Sequence, residues 1–169
     1  MERILPVNGI ALCVETFGDP ANPALLLLRG AAESMDFWEV EFCTRLAGPR
    51  FVIRYDTRDT GRSVSYPPGE PGYDMPDLVE DAVGVLDALG VTRAHLVGLS
   101  MGGGLVQRLA LDHADRVASI TLVSTTPGPL SARVVAHHAA AAPRDAFAVR
   151  LSDRLIAGGG PLMGTASPR

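Results

Sequence analysis

The sequence predicts an α/β fold built on a doubly wound, mostly parallel sheet, and three observations carry that expectation. Short apolar runs alternate with stretches of helical periodicity, the pattern of strands joined by crossover helices. Two of the runs, Ala24 to Leu28 and His95 to Leu99, are continuously apolar enough to suit strands buried on both faces. Arg29-Gly30, Asp56 and Ser100 all fall at the carboxyl ends of predicted strands, where sheets of this class bind ligands.

In chain order, Arg3 to Pro6 and Ile10 to Glu15 read as a hairpin around Asn8-Gly9, a dipeptide suited to a tight two-residue turn. Gly18-Asp19-Pro20 and Asn22-Pro23 break the chain before the Ala24 to Leu28 strand, which ends in the loop Arg29-Gly30-Ala31-Ala32. Ser34 is placed to cap a helix whose apolar contacts would come from Phe37, Val40, Phe42 and Leu46, with Gly48-Pro49 as its stop. Phe51 to Tyr55 is the next strand, followed by the polar loop Asp56 to Ser63 and a Pro/Gly-rich stretch through Pro67, Pro68, Pro71 and Gly72. Asp74 caps a helix with core positions Leu78, Ala82, Val83, Leu86 and Leu89, closed by Gly90. A strand from His95 to Leu99 leads into a helix with Leu105, Val106, Leu109 and Ala110 on its apolar face, and Arg116 to Ser124 forms one more strand. Beyond it, Ala132 to Ala142 and Arg144 to Ala157 are alanine-rich and helical, divided by Pro143. We therefore expect a core over residues 1–129, and a partial helical cap and frayed tail over 130–169.

The totals exclude several classes of function. The chain has 169 residues, 47% of them hydrophobic, with a net charge of −4, enough for one domain with a real core. All 15 basic residues are arginine and they are scattered, which argues against a nucleic-acid surface. With no lysine there is no P-loop, and Gly102-Gly103-Gly104 lacks the spacing of a dinucleotide fingerprint. Cys13 and Cys43 stand apart with no metal-ligand spacing, so buried free thiols and a cytoplasmic setting are expected. Met1 to Gly9 lacks a signal-peptide layout, and the Leu25 to Leu28 run is far too short to cross a bilayer.

The chemistry concentrates at Gly98-Leu99-Ser100-Met101-Gly102, a G-x-S-x-G sequence between a strand and a helix. Such a nucleophile elbow lifts a serine hydroxyl above the end of a sheet, and glycines on either side prevent a Cβ from striking the crossing backbone. The following helix directs free N–H groups and partial positive charge toward the hydroxyl. A tight turn with an incidental serine is the alternative reading of the same residues.

Together with the loop Tyr55-Asp56-x-Arg58-Asp59-Thr60-Gly61-Arg62-Ser63 and the Arg29-Gly30 turn, the elbow resembles the α/β-hydrolase superfamily in order and spacing over about residues 2–130. Within it the chain is most similar to small serine esterases that include the anthracycline (aclacinomycin-type) methylesterases. The resemblance implies Ser100 as nucleophile, with the backbone N–H groups of Ala31 and Met101 as the oxyanion hole and no cofactor or metal. Gly30, Gly98 and Gly102 would support the elbow and its facing loop, and Asp56 and Arg58 would pair to shape the loop beside it. Arg29 replaces the family's more frequent histidine; it holds the oxyanion loop, faces an anionic part of the substrate, or only packs along the loop. Serine at position 100 disfavours the dehalogenase and epoxide-hydrolase readings, which in this superfamily use aspartate.

The superfamily order of serine, acid and histidine implies that the last two lie beyond Arg169, which makes the chain a truncated hydrolase, inactive by itself. His95 and His113 are placed as structural residues, and His137 and His138 as exposed residues of the cap, with a substitute base reaching over the site as the alternative for one of them. The expected function is hydrolysis of a small-molecule carboxylic ester, thioester or lactone through an acyl-enzyme. C–C bond hydrolysis and haloperoxidase-like activity are the enzymatic alternatives, and a non-catalytic ligand- or partner-binding fragment is the other class. Oligomeric state stays open.

Overall fold

The computed structural model describes residues 1–125. Strands β1 (Glu2–Val7) and β2 (Ile10–Phe17) form the predicted hairpin, with Asn8 and Gly9 both at positive φ (50° and 78°). The chain continues through β3 (Ala24–Leu28), α1 (Val40–Leu46), β4 (Phe51–Tyr55), α2 (Met75–Ala88), β5 (Ala94–Leu99), α3 (Met101–Asp112) and β6 (Val117–Val123). The six strands lie in the order β1-β2-β4-β3-β5-β6, antiparallel at the hairpin side and parallel from β4 onward. That is the doubly wound, mostly parallel sheet the sequence predicts.

Alternation along each strand splits the core. Leu26 and Leu28 of β3 and Leu96 of β5 pack with Leu78, Ala82, Leu86, Leu105 and Leu109 of α2 and α3, while Leu27 packs with Trp38, Cys43 and Val52 on the face that carries α1. Burying this apolar surface is the main stabilising contribution, at roughly 25 cal/mol per Å². Asp74 caps α2 through a reciprocal box with Asp77, and Gly90, at φ 70°, follows the helix as its stop. Both cysteines are buried and free.

Three local expectations need correction. Ser34 caps only a short 3-10 turn, Met35–Phe37; α1 begins separately at Val40 and has Cys43 as its buried residue. Phe37, in the turn, is 50% exposed, and Val40 and Phe42 are 55% and 44% exposed because the seven residues of α1 bury only Cys43 fully. Strand β5 is fully buried only on the α3 side: Ala94, Leu96 and Gly98 are inside, whereas Val97 and Leu99 line an open groove. The expected cap over 130–169, with His137 and His138, lies outside the described residues.

Candidate active site

Strand β3 is hydrogen-bonded to β4 on one side and to β5 on the other. The chain leaves β3 toward α1 on one face and leaves β5 toward α3 on the opposite face. Connections that diverge in this way open a crevice beyond the strand ends. Leu28 and Gly98 are register partners, so Gly30 and Ser100 stand two residues past a matched pair, at the two lips of that crevice.

Ser100 is exposed and stands at φ 51°, ψ −118°, a conformation that L-residues rarely adopt. Its own amide donates to the Val123 carbonyl (3.0 Å) and its carbonyl accepts from the Gly103 amide (3.0 Å), which fixes the bend between β5 and α3. The flanking glycines are required by close approach. A Cβ on Gly98 would strike the carbonyl group of Gly102, and one on Gly102 would stand 2.6 Å from the Arg29 carbonyl oxygen. Met101 is the first residue of α3, so its N–H has no acceptor within the helix and lies at the helix's positive end.

The facing loop approaches closely. A Cβ built on buried Gly30 would be 3.4 Å from the Cβ of Ser100 and 3.6 Å from Oε2 of Glu33. Ala31, next in the chain, is exposed, and Ala32 takes a left-handed φ of 58° to turn the loop. Beyond it, the Met35 amide donates to the buried Asp56 carboxylate (2.6 Å), and the Met35 and Trp38 carbonyls accept from Arg54 Nη1. Arg29 is 7% exposed; its guanidinium lies 3.2 Å from the Phe37 ring centre and pairs with Glu33, while its Nε is buried with no hydrogen-bond partner among the described residues. Desolvation by burial lowers its pKa from the ordinary arginine value.

Asp56 and Arg58 do not pair. Asp56, fully buried, accepts from the Met35 and Arg62 amides, the latter at 2.8 Å, and so couples the β3 loop to the β4 loop. Arg58 instead makes a two-pronged contact with Asp81 of α2, at 2.6 and 2.9 Å, and Asn8 adds a third bond to that carboxylate. The Asp81 contacts hold the Arg58 pKa above its ordinary value. Loop residues adjacent in sequence face different elements here, and the intervening fold chooses the partners. No local spacing announced Asp81; its only signal was an acidic residue on the apolar face of α2.

The two described histidines are engaged away from Ser100. Nδ1 of His95 is 2.7 Å from the Ser119 hydroxyl and Nε2 is 3.4 Å from Arg50, and His113 caps α3 and meets Glu80 at 2.7 Å.

A mostly parallel sheet with helices on both faces and a sharp strand-to-helix turn beyond β5 is the architecture of the alpha/beta hydrolase class. The chain belongs to the alpha/beta hydrolase fold family, whose pattern it matches over residues 23–164. It is 43% identical to a rhodomycin D methylesterase of Streptomyces sp. (strain C5) over 122 residues, covering 72% of this chain and 41% of the relative. A putative carbamate hydrolase of Caulobacter segnis is 40% identical over 121 residues, covering 70% of this chain and 43% of that protein. Among solved structures, a hydrolase from Pseudomonas aeruginosa superposes with a TM-score of 0.67 at 34% identity, over 83% of this chain and 52% of that one. An epoxide hydrolase from Vigna radiata gives a TM-score of 0.68 at 26% identity, over 76% and 40% of the two chains. The chain thus spans about two-fifths (41%) of the length of the methylesterases it matches. Among the described residues, no helix is long and apolar enough to cross a membrane.

Proposed function

We propose that this chain carries the nucleophile and oxyanion-binding part of a serine hydrolase acting on a small-molecule carboxylic ester. Ser100 attacks the acyl carbon to form an acyl-enzyme, and the amides of Met101 and Ala31 receive the developing oxyanion. Removal of one such donor typically costs about 3–4 kcal/mol of transition-state stabilisation. The observation that carries this reading is the exposed Ser100 at φ 51°, with the Gly30 loop packed against it. The 43% identity to a rhodomycin D methylesterase favours an ester over the other bonds cleaved by similar folds. Gly98 and Gly102 admit the elbow, Gly30 lies against it at ordinary contact distance, and Asp56 ties that loop to the Arg62 turn. Arg58 acts at a distance, by joining the β4 loop to α2 through Asp81.

An orienting base is the other requirement of such a serine. Among the described residues His95 and His113 are committed elsewhere, and we propose that this chain alone hydrolyses p-nitrophenyl acetate no faster than its Ser100→Ala variant. Fluorophosphonate capture is a single stoichiometric event that displaces fluoride and needs no deacylation, so it reports the serine and its oxyanion donors even at a rate too slow to appear as ester turnover. Labelling of the wild-type chain that disappears in Ser100→Ala is the expected result. Absence of labelling would favour the second reading, a ligand- or partner-binding fragment whose groove, lined by Phe37, Trp38 and Phe42, does the work. Two buried free thiols support a cytoplasmic setting.

A further inference from the structure

We propose that Arg29 is the positioning residue of the loop that carries the Ala31 amide: clamped between Glu33 and Phe37, its guanidinium ties the start of that loop to its end. The inference rests on the serine-hydrolase reading above and extends it to a residue outside the elbow.

The far end of the loop is fixed from β4. Asp56 holds the Met35 amide, and Arg54 holds the Met35 and Trp38 carbonyls. Arg29 supplies a cross-link from the near end. Its side chain spans from the first residue after β3 to Glu33 and to Phe37, which closes the 3-10 turn. Ala31 and the left-handed Ala32 lie inside the segment so closed.

An arginine that merely covered a loop would keep its charged head in water and bury only its stem. Arg29 does the reverse. It is 7% exposed and leaves Nε buried without a hydrogen-bond partner among the described residues, although Glu33 and Phe37 are themselves about half exposed. Turning inward forfeits hydration, and the planar stack on Phe37 together with the Glu33 contact offsets that loss, a combination only guanidinium geometry permits. The pair has an electrostatic consequence as well. Glu33 Oε2 lies 3.6 Å from the point where a Gly30 Cβ would stand, and that point is 3.4 Å from the Ser100 Cβ. A carboxylate so near the serine would repel a developing oxyanion, and the paired guanidinium neutralises it.

The test uses the full 169-residue chain and a fluorophosphonate probe, with the maximal labelling rate of Ser100 separated from the probe's half-saturating concentration. Arg29→Gln is expected to lower the maximal rate at least tenfold with little change in half-saturation, and Arg29→Lys to recover little of it. Methylguanidinium at millimolar concentration, unlike methylammonium, should restore part of the Arg29→Gln rate, a response that a general loss of stability would not give. Because Glu33 would be left bare, Arg29→Gln combined with Glu33→Gln should label faster than Arg29→Gln alone. Should Arg29→Gln fail to fold, Phe37→Leu at its exposed position reads the same clamp and should slow labelling in the same way. A wild-type maximal rate in folded Arg29→Gln or Phe37→Leu would overturn the inference and leave the serine reading standing. A wild-type chain that is never labelled would overturn both.

Discussion

Ser100 holds a conformation that its own Cβ opposes, and the fold sustains it through backbone bonds to Val123 and Gly103. A residue kept at positive φ costs of order 1–3 kcal/mol, and glycine is largely free of that cost. Ser100→Gly is therefore expected to raise the unfolding free energy by about 1 kcal/mol in urea titration while abolishing fluorophosphonate labelling. A variant less stable than wild type would remove strain from the account of the elbow. Gly98 and Gly102 could be read from the sequence because the five-residue motif marks the turn, although the atoms that Gly102 must clear belong to the end of β3 and Arg29. The close packing of Gly30 on Ser100 could not, since it arises only where β3 and β5 become neighbours. Arg58 fails as a local reading for the same reason: its partner Asp81 is remote in sequence and belongs to a helix. Truncating one member of such a buried pair typically costs about 3–5 kcal/mol, so this ion pair matters to how the β4 loop is held.

At the scale of elements, β5 presents two faces of different character. Its inner side meets α3, while His95 on the other side is half-buried between Ser119 and Arg50. Burial, together with the Arg50 and Arg93 charges, depresses the His95 pKa below its ordinary value. Above the unfolded histidine value of about 6.5 both states are neutral and the residue contributes no pH dependence. As pH falls below that value the unfolded chain takes up a proton that the folded chain resists, so stability declines until the folded pKa is reached. His95→Gln should flatten the fall in unfolding free energy between pH 7 and pH 5, measured by urea titration at each pH. An unchanged slope would assign the acid sensitivity to other groups. The strands, α2 and α3 were legible because apolar periodicity and capping residues are local signals. The segment from Ser34 to Leu46 was not, because its break into a turn and a short helix follows from Arg54 and Asp56 gripping Met35.

For the molecule as a whole, α1 covers only part of its face of the sheet. The rest is an apolar groove of about 450 Å³ bounded by Leu25 and Leu27, Trp38, Phe42, Val97, Leu99 and Val123. Among the described residues β6 pairs only with β5, so a 40%-exposed Val123 stands on an outer strand beside that groove. Exposed apolar strand edges promote association, and a lysine there opposes it. Light scattering is expected to rise with concentration for the wild-type chain and to be reduced in Val123→Lys. A wild-type chain that stays monomeric at every concentration would mean that this face is covered.

The sequence by itself determined the order of strands and main helices, the parallel character of the sheet, the Asp74 and Gly90 ends of α2 and the serine elbow, all properties of contiguous residues and their periodicity. Tertiary structure alone decided that the Gly30 loop abuts Ser100, that Asp56 and Arg58 serve different elements, that Arg29 turns inward, and which sheet face stays open. Each of these depends on contacts between segments far apart in the chain, and which polar group meets which is settled only when the strands are in register.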